Sequence, residues 1–480
     1  MTAAIARPGS RLRVPSIDGV WAVIAVLLPA AVTWFGRTMA VDLAYQVRAG
    51  NVMLDTRRVL DVDVFTFTVG GETWLNQQWG AQFLIALVHR LGGWGGVLLA
   101  SGVLVGATAL FTYRSCRAVG ASSRASCLLT VAGCAVGLEI LRSMRPQQFG
   151  FLLFAVCLWI VTTRRSHPGR LWLVPVLVAA WANLHGSFPL AFVLLGLAWL
   201  TDRGSHPAGA RHLLAAGALA VPATLINPYG IDVWGYVLEL STHPVVSGRV
   251  SEWGPPSIHT PTGGLFFASL VLVAGFLARR GRQTTWQALV TLGVFTTLSL
   301  LAIRGVIWWA LAVPVVVAEL VRGGRPRADE RSPMNLVIAA GLALVVILSM
   351  PFGRGIDERS GRPSVLTIAP EHLVAAARSA APSGSRAFVS QLPASWVEYS
   401  APEFPVAVDS RIELFPEHVW EDYFVVSTGR EGWDDVLDRW GVRLLILDEG
   451  QAEGLLAVIG ARPEWRLVLR NDDGAVYVRA

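Results

Sequence analysis

Lysine is absent from this 480-residue sequence, so all 40 of its basic side chains are arginines, and charged residues of both signs make up only 15% of the chain. A net charge of +6 would ordinarily suggest a nucleic-acid partner. Here the arginines fall mainly in short loops between apolar runs, which excludes that partner and makes the charge a record of membrane topology. Cysteine is scarce too. Cys116, Cys127, Cys134 and Cys157 lie in or beside apolar runs without paired ligand spacing, which argues against a disulfide framework and against a zinc site. No secretory cleavage site follows the first apolar run, so Val20 to Met39 reads as a retained span.

What the chain has in excess is apolar surface. With 53% hydrophobic residues and recurring apolar runs, it reads as an α-helical polytopic membrane protein. Eleven candidate transmembrane helices are expected, at roughly 20–39, 94–113, 126–141, 148–163, 171–184, 188–201, 212–226, 263–278, 285–302, 305–322 and 334–351. Residues 1–19 and alternate short loops hold eighteen of the 27 arginines before residue 352, among them Arg7, Arg11, Arg13, Arg124, Arg164, Arg282, Arg322, Arg325 and Arg327. The positive-inside rule then makes the N-terminus cytoplasmic and, with an odd number of spans, the C-terminus extracytoplasmic. Many tryptophans, such as Trp21, Trp172 and Trp308, fall near span ends, as an aromatic belt requires.

Polar mass gathers on the outer side. It comprises a loop over 40–93, a second over 227–262, and a tail, 352–480, whose alternating strand-like and helical runs describe a soluble extracytoplasmic α/β domain. In the tail, "RAFVSQ", "FPVAVDS", "VRLLILD" and "AVYVRA" read as strands, and "EGWDDVLDRWG" and "QAEGLLAVIG" as helices. The first loop opens with "VDLAYQVRAGNVML", a loosely amphipathic stretch expected to lie as a helix on the membrane surface. Asp42 starts it, either as a helix N-cap or as a base at the mouth of a cavity whose pKa is tuned by partial burial and by Arg48. Asp61 and Asp63 would share one face of a strand, suited to a metal or a sugar or to plain solvation. Arg142 and Arg145, in "RSMRPQQFG", stand on the side where the charge bias disfavours them; they read as lipid-snorkelling residues or as a phosphate clamp. Asn183 and His185 in "WANLHGSFP" break an apolar helix, which is costly unless the break lines a polar cavity. Arg304 and Glu139 are intramembrane charges, and Tyr229, Glu252 and Trp253 in the second loop suit sugar contact or ordinary packing.

In their order along the chain these features resemble the GT-C membrane glycosyltransferases, which include the protein O-mannosyltransferases and the bacterial aminoarabinose transferase. More narrowly, the chain is similar to a bacterial branch whose first loop reads "DLWWHLRAG…DPFSYT…G…W…EWL". The matching residues are Asp42 to Gly50, Asp63 to Thr68, Gly71 to Trp74 and Gln78 to Gly80, followed by "LRSMRPQQF", "WANLHGSF", "NPYG" and "VAVDSRIELF". It departs at Ala44, Tyr45 and Gln46, where that branch has two tryptophans and a histidine, and at Gln78, where it has an acid.

The resemblance implies a multi-pass enzyme of the inner or plasma membrane. It would take a sugar from a polyprenyl-phosphate donor and pass it to an extracytoplasmic glycan, lipid or protein acceptor, with inversion. Asp42 would be the general base; Arg145, Arg304, Gln147 and His185 would hold the donor phosphate; Arg48, Asp63, Trp79, Asn183 and Glu252 would contact substrate. The scheme demands no cofactor or metal, and its partners are the lipid-linked donor, membrane lipids and the acceptor. Two other classes stay open from sequence: a lipid or solute transporter or flippase, for which one helix break without inverted repeats is thin support, and a noncatalytic envelope scaffold with a protein-binding outer domain.

Overall fold

A computed structural model of the chain describes residues 14–242, 251–280, 284–321, 330–358 and 360–480. Arg7, Arg11, Arg13, Arg282, Arg322, Arg325, Arg327 and part of the 227–262 loop lie outside the described residues.

The first apolar run forms α1 (Ile17–Phe35), started by Ser16, whose side chain accepts from Gly19 N–H at 3.1 Å. The chain then passes through a two-residue strand, β1 (Thr38–Met39), directly into α2 (Ala40–Thr56). The expectation of a surface helix does not hold for α2. Ala40, Leu43, Ala44 and Val47 are fully buried, and the helix is packed between α3 (Trp79–Ala118) and a helix of the tail. Its small side chains allow that placement: at Gly50 a Cβ atom would collide with the backbone of Gln82 on α3. The run expected to span 94–113 is the second part of α3, a 40-residue helix broken at Gly93, which adopts φ 57° and so needs glycine.

The helical body continues through α4 (Ser123–Val136), α5 (Leu138–Arg142), α6 (Gln147–Thr162), α7 (Val174–Leu184), α8 (Leu190–Asp202), α9 (Pro207–Ala223) and α10 (Asp232–Thr242). It ends with α11 (Pro261–Arg280), α12 (Trp286–Leu301), α13 (Val306–Leu320) and α14 (Pro333–Ser349). The apolar runs coincide with these helices in large part, but 126–141 is divided between α4 and α5, and 20–39 runs past α1 into β1. Among the described residues, however, only 4 helical stretches are long and apolar enough to cross a membrane unaided: Ile17–Phe35, Trp79–Ala118, Pro261–Arg280 and Ile303–Leu320. The centre of the body is α13, buried almost throughout against α4, α12 and α3. At the periphery, α11 and α14 leave Val271, Leu272, Val337 and Leu348 exposed, an apolar belt that hydrocarbon would cover.

Residues 366–480 form a mixed sheet with flanking helices. A short strand, β2 (Leu366–Thr367), pairs in parallel with β1, Thr38 opposite Leu366. Then come α15 (Glu371–Ala380), β3 (Arg386–Val389), α16 (Gln391–Ser400), α17 (Glu417–Ser427), α18 (Trp433–Trp440), β4 (Val442–Leu447), α19 (Glu453–Ile459), β5 (Trp465–Asn471) and β6 (Gly474–Arg479). The strand order is β3-β4-β6-β5, with β3 and β4 parallel and the remaining pairs antiparallel. Two sequence readings change here. "FPVAVDS" is not a ladder strand; its Val406 makes isolated parallel bridges to Ala387 and to Thr66 of the segment after α2. "WRLVLRN", unread as a strand because edge exposure gives it arginines instead of an apolar face, is β5.

The tail is fastened to the segment after α2 by a buried ion triad. The Arg411 guanidinium lies 2.6 Å from Asp63 Oδ1 and 2.5 Å from Asp409 Oδ2, with all three side chains 0% exposed. Asp63 also accepts from Thr66 N–H at 3.0 Å and Thr66 Oγ1 at 2.7 Å, and the Arg411 cation sits 4.6 Å above the Trp74 ring. Beside the triad, Glu398 is buried. Burial first, and the charge of Asp409 second, push its carboxyl well above the usual range, so it is held neutral.

Candidate active site

Where α2, the α5–α6 junction, the α7–α8 break, α10 and the tail meet, they enclose a cavity of about 320 Å³. Asp42 reaches it from the first turn of α2. It is not an N-cap: the cap position is Met39, without a side-chain hydrogen bond, and the carboxylate sits where the helix dipole favours negative charge. Its Oδ2 lies 2.9 Å from Arg145 Nε, and Arg145 Nη1 lies 2.7 Å from Glu252 Oε1. One guanidinium thus bridges two carboxylates. Burial works against the charge on Arg145, but Asp42 and Glu252 outweigh it and hold the group above its ordinary value.

Gln147, at the start of α6, lines the same cavity, as do Arg304, Trp253 and His185. Arg304 stands 4.2 Å above the Trp253 ring, an aromatic seat that leaves its fork available in the plane. His185 occupies the extended break between α7 and α8. Its Nδ1 accepts from Ser187 N–H at 3.2 Å and lies 2.8 Å from Ser187 Oγ, so the neutral ring carries its proton on Nε2. Burial first, and the Arg304 charge second, lower its pKa to about 3; this histidine is a neutral donor and not a cation. A second cavity, about 640 Å³, shares Arg145, Gln147, Glu252 and Arg304 as a wall and adds Arg37, Arg142 and Glu139; Thr262 Oγ1 donates to Glu139.

Not every residue singled out from sequence arrives here. Asp63 is sealed in the ion triad with Arg411 and, like Arg48, is absent from the cavity wall, while Asp61 is exposed and turned to no shared ligand. Trp79 and Asn183 face each other instead: Trp79 Nε1 donates to Asn183 Oδ1 at 2.9 Å, and Asn183 Nδ2 donates to Ile226 O at 2.7 Å. They brace the helix break from behind. Tyr229 also lies elsewhere, and Tyr236, one helical stretch later, takes the place in the wall. Sequence reasoning also missed Tyr45, Gln46, Gln391, Ser410 and Glu413. Tyr236 Oη donates to Glu413 Oε1 at 3.0 Å, and burial raises the pKa of Glu413. The "VAVDSRIELF" stretch lends Ser410, Ile412 and Glu413 to the cavity wall.

No protein-family model and no curated protein sequence matches the chain. Solved structures do match it in shape. The archaeal oligosaccharyltransferase AglB from Archaeoglobus fulgidus, in complex with an inhibitory peptide and a dolichol-phosphate, superposes with a TM-score of 0.59 at 12% identity, over 97% of this chain and 75% of that one. ArnT from Cupriavidus metallidurans superposes with a TM-score of 0.55 in its apo state (14% identity, 97% of this chain and 99% of that one). Bound to undecaprenyl phosphate, ArnT gives the same TM-score at 13% identity, over 96% and 98%. Both are GT-C enzymes. The chain has the GT-C fold.

Proposed function

We propose that the chain is a membrane glycosyltransferase that moves a sugar from a polyprenyl-phosphate donor to an extracytoplasmic acceptor, with Asp42 as general base. The observation that carries this reading is the Asp42–Arg145 pair in a cavity that also receives Arg304, Gln147 and His185. It supports two functions at once: a carboxylate to take a hydroxyl proton, and cationic and N–H donors to receive a phosphate. A phosphate competing for Arg145 would loosen the 2.9 Å contact and free the Asp42 carboxylate to meet the acceptor hydroxyl. The acceptor hydroxyl then attacks the anomeric carbon as its proton passes to Asp42. The sugar–phosphate bond breaks, its electron pair stays on the departing phosphate oxygen, whose charge Arg145 and Arg304 neutralise, and the configuration inverts.

In this reading eleven helices span the inner or plasma membrane, the shorter ones relying on neighbours and on local thinning of the bilayer. Residues 1–19 are cytoplasmic, and residues 352–480 form an outer α/β domain. Reporters fused after Arg124 and after Ala480 should therefore lie on opposite sides. The decisive experiment is Asp42→Asn in purified protein supplied with undecaprenyl-phosphate-linked sugars and envelope acceptors. The amide keeps the side chain's size, so folding should survive while turnover falls roughly 10²-fold or more. Wild-type turnover in that variant would refute the assignment.

A further inference from the structure

Glu413 enters the cavity from a short turn anchored by the buried ion triad. It sits in a single 3-10 turn, Ile412–Leu414, immediately after Arg411. Arg411 N–H donates to Asp409 Oδ1 at 2.7 Å, and its guanidinium is fixed by Asp409 and Asp63. A charged group was not required there for packing, since the neighbouring Ile412 and Leu414 supply apolar contact to the tail's core. The two other acids of the cavity, Asp42 and Glu252, are both engaged by Arg145. Glu413 instead receives the hydroxyl of Tyr236. The same cavity is lined by groups that both donate and accept: Gln46, Gln78, Gln391 and Ser410. Burial raises the pKa of the Glu413 carboxyl, while the Tyr236 hydrogen bond works the other way. A wall of amides, hydroxyls and a carboxyl does not suit a phosphate. It suits a polyol.

We propose that Glu413 is a contact for the sugar of the lipid-linked donor, hydrogen-bonding a ring hydroxyl so that the site prefers a lipid phosphate carrying an uncharged sugar over the bare lipid phosphate. The inference rests on the transferase reading and gives the tail a direct share in substrate choice. Phosphate recognition belongs to the arginine wall, and sugar recognition to Glu413 and the amides beside it.

The test is a competition binding measurement on the full-length protein in detergent, without turnover. The probes are undecaprenyl phosphate and undecaprenyl phosphate carrying glucose, galactose or mannose. Wild type should bind at least one glycosyl lipid about tenfold more tightly than the bare phosphate, a gain of the size one or two buried hydrogen bonds supply. Glu413→Ala should erase that preference while leaving bare undecaprenyl phosphate bound within about twofold, which also shows that the variant is folded. Glu413→Gln, able to donate and accept at the same position, should keep most of it. Equal affinity of wild type for all four lipids overturns the proposal, and so does a Glu413→Ala protein that retains the preference. Failure of the transferase reading looks different: a Glu413-dependent preference for glycosyl lipid in a protein that never transfers the sugar.

Discussion

Gln46 Nε2 lies 3.2 Å from Gln78 Oε1, which brings into contact two of the positions where this chain departs from the GT-C branch it resembles. That branch has a histidine at the first and an acid at the second, a pair able to share a proton or a charge; here two amides make a neutral link of similar reach. The departures therefore read as one change. Gln46 also donates to Tyr45 Oη at 2.6 Å, so the pair fixes one side of the cavity. Gln78→Glu alone should cost about 1–2 kcal/mol of stability, because it sets a carboxylate against an amide pair in a largely buried place. Adding Gln46→His should recover at least half of that loss. Thermal melts of the single and double variants in detergent measure the coupling, and simple additivity would disprove the pairing.

Glu252 holds the same guanidinium that the transferase mechanism assigns to phosphate. Its side chain is 46% exposed, so the contact is screened and readily exchanged. Replacing it with Gln removes the competing charge. Undecaprenyl phosphate should then bind severalfold more tightly, whereas Arg145→Ala should bind it at least tenfold more weakly. Weaker binding by Glu252→Gln would mean that this glutamate orients Arg145 instead of occupying it.

Arg411→Met leaves Asp63 and Asp409 buried without their cation, a change expected to cost about 3–5 kcal/mol. The loss should be local at first. Limited proteolysis ought to cut between the helical body and the tail in Arg411→Met long before the helices of the body are attacked, and a digestion pattern like that of wild type would argue that the triad is dispensable.

Glu398 gives a pH dependence with a definite sign. Its ordinary carboxyl pKa is 4.5, and in the folded protein it lies well above that, so between the two values the folded state binds a proton that the unfolded state has released. Stability then falls as pH rises from about 4.5 through the folded pKa. Glu398→Gln, which mimics the neutral acid, should melt like wild type near pH 4 and at a progressively higher temperature than wild type as the pH is raised to 8. A melting difference constant across that range would place an ionised carboxylate at Glu398.

The membrane body was legible because apolar runs and arginine-rich loops are signals each segment carries alone. Arg145, His185 and Arg304 could be singled out because a polar group is expensive where apolar runs or the charge bias disfavour it, Asp42 and Glu252 because they stand in the outer loops, and Gln147 through the resemblance. The structure sets all six around one cavity. What could not be read was partnership across the chain. Asp63 looked like a loop acid because its cation, Arg411, lies 348 residues away. Tyr236 could not be singled out, because nothing in the local sequence says which face of α10 meets the tail. The placement of α2 was missed because a helix packed on several sides with alanine and glycine shows only a weak apolar stripe.

The parallel pair of Thr38–Met39 with Leu366–Thr367 sets an order of construction. A ribosome completes Asp42 while more than three hundred residues, including the strand partner, the Arg411 clamp and Glu413, are still unmade. Until those emerge, α2 has one bare face and its acid has no closed chamber around it. Assembly of this site therefore waits for the tail to be made, and an incomplete chain halted inside the membrane body would hold a base and an arginine but no place to bring a sugar between them.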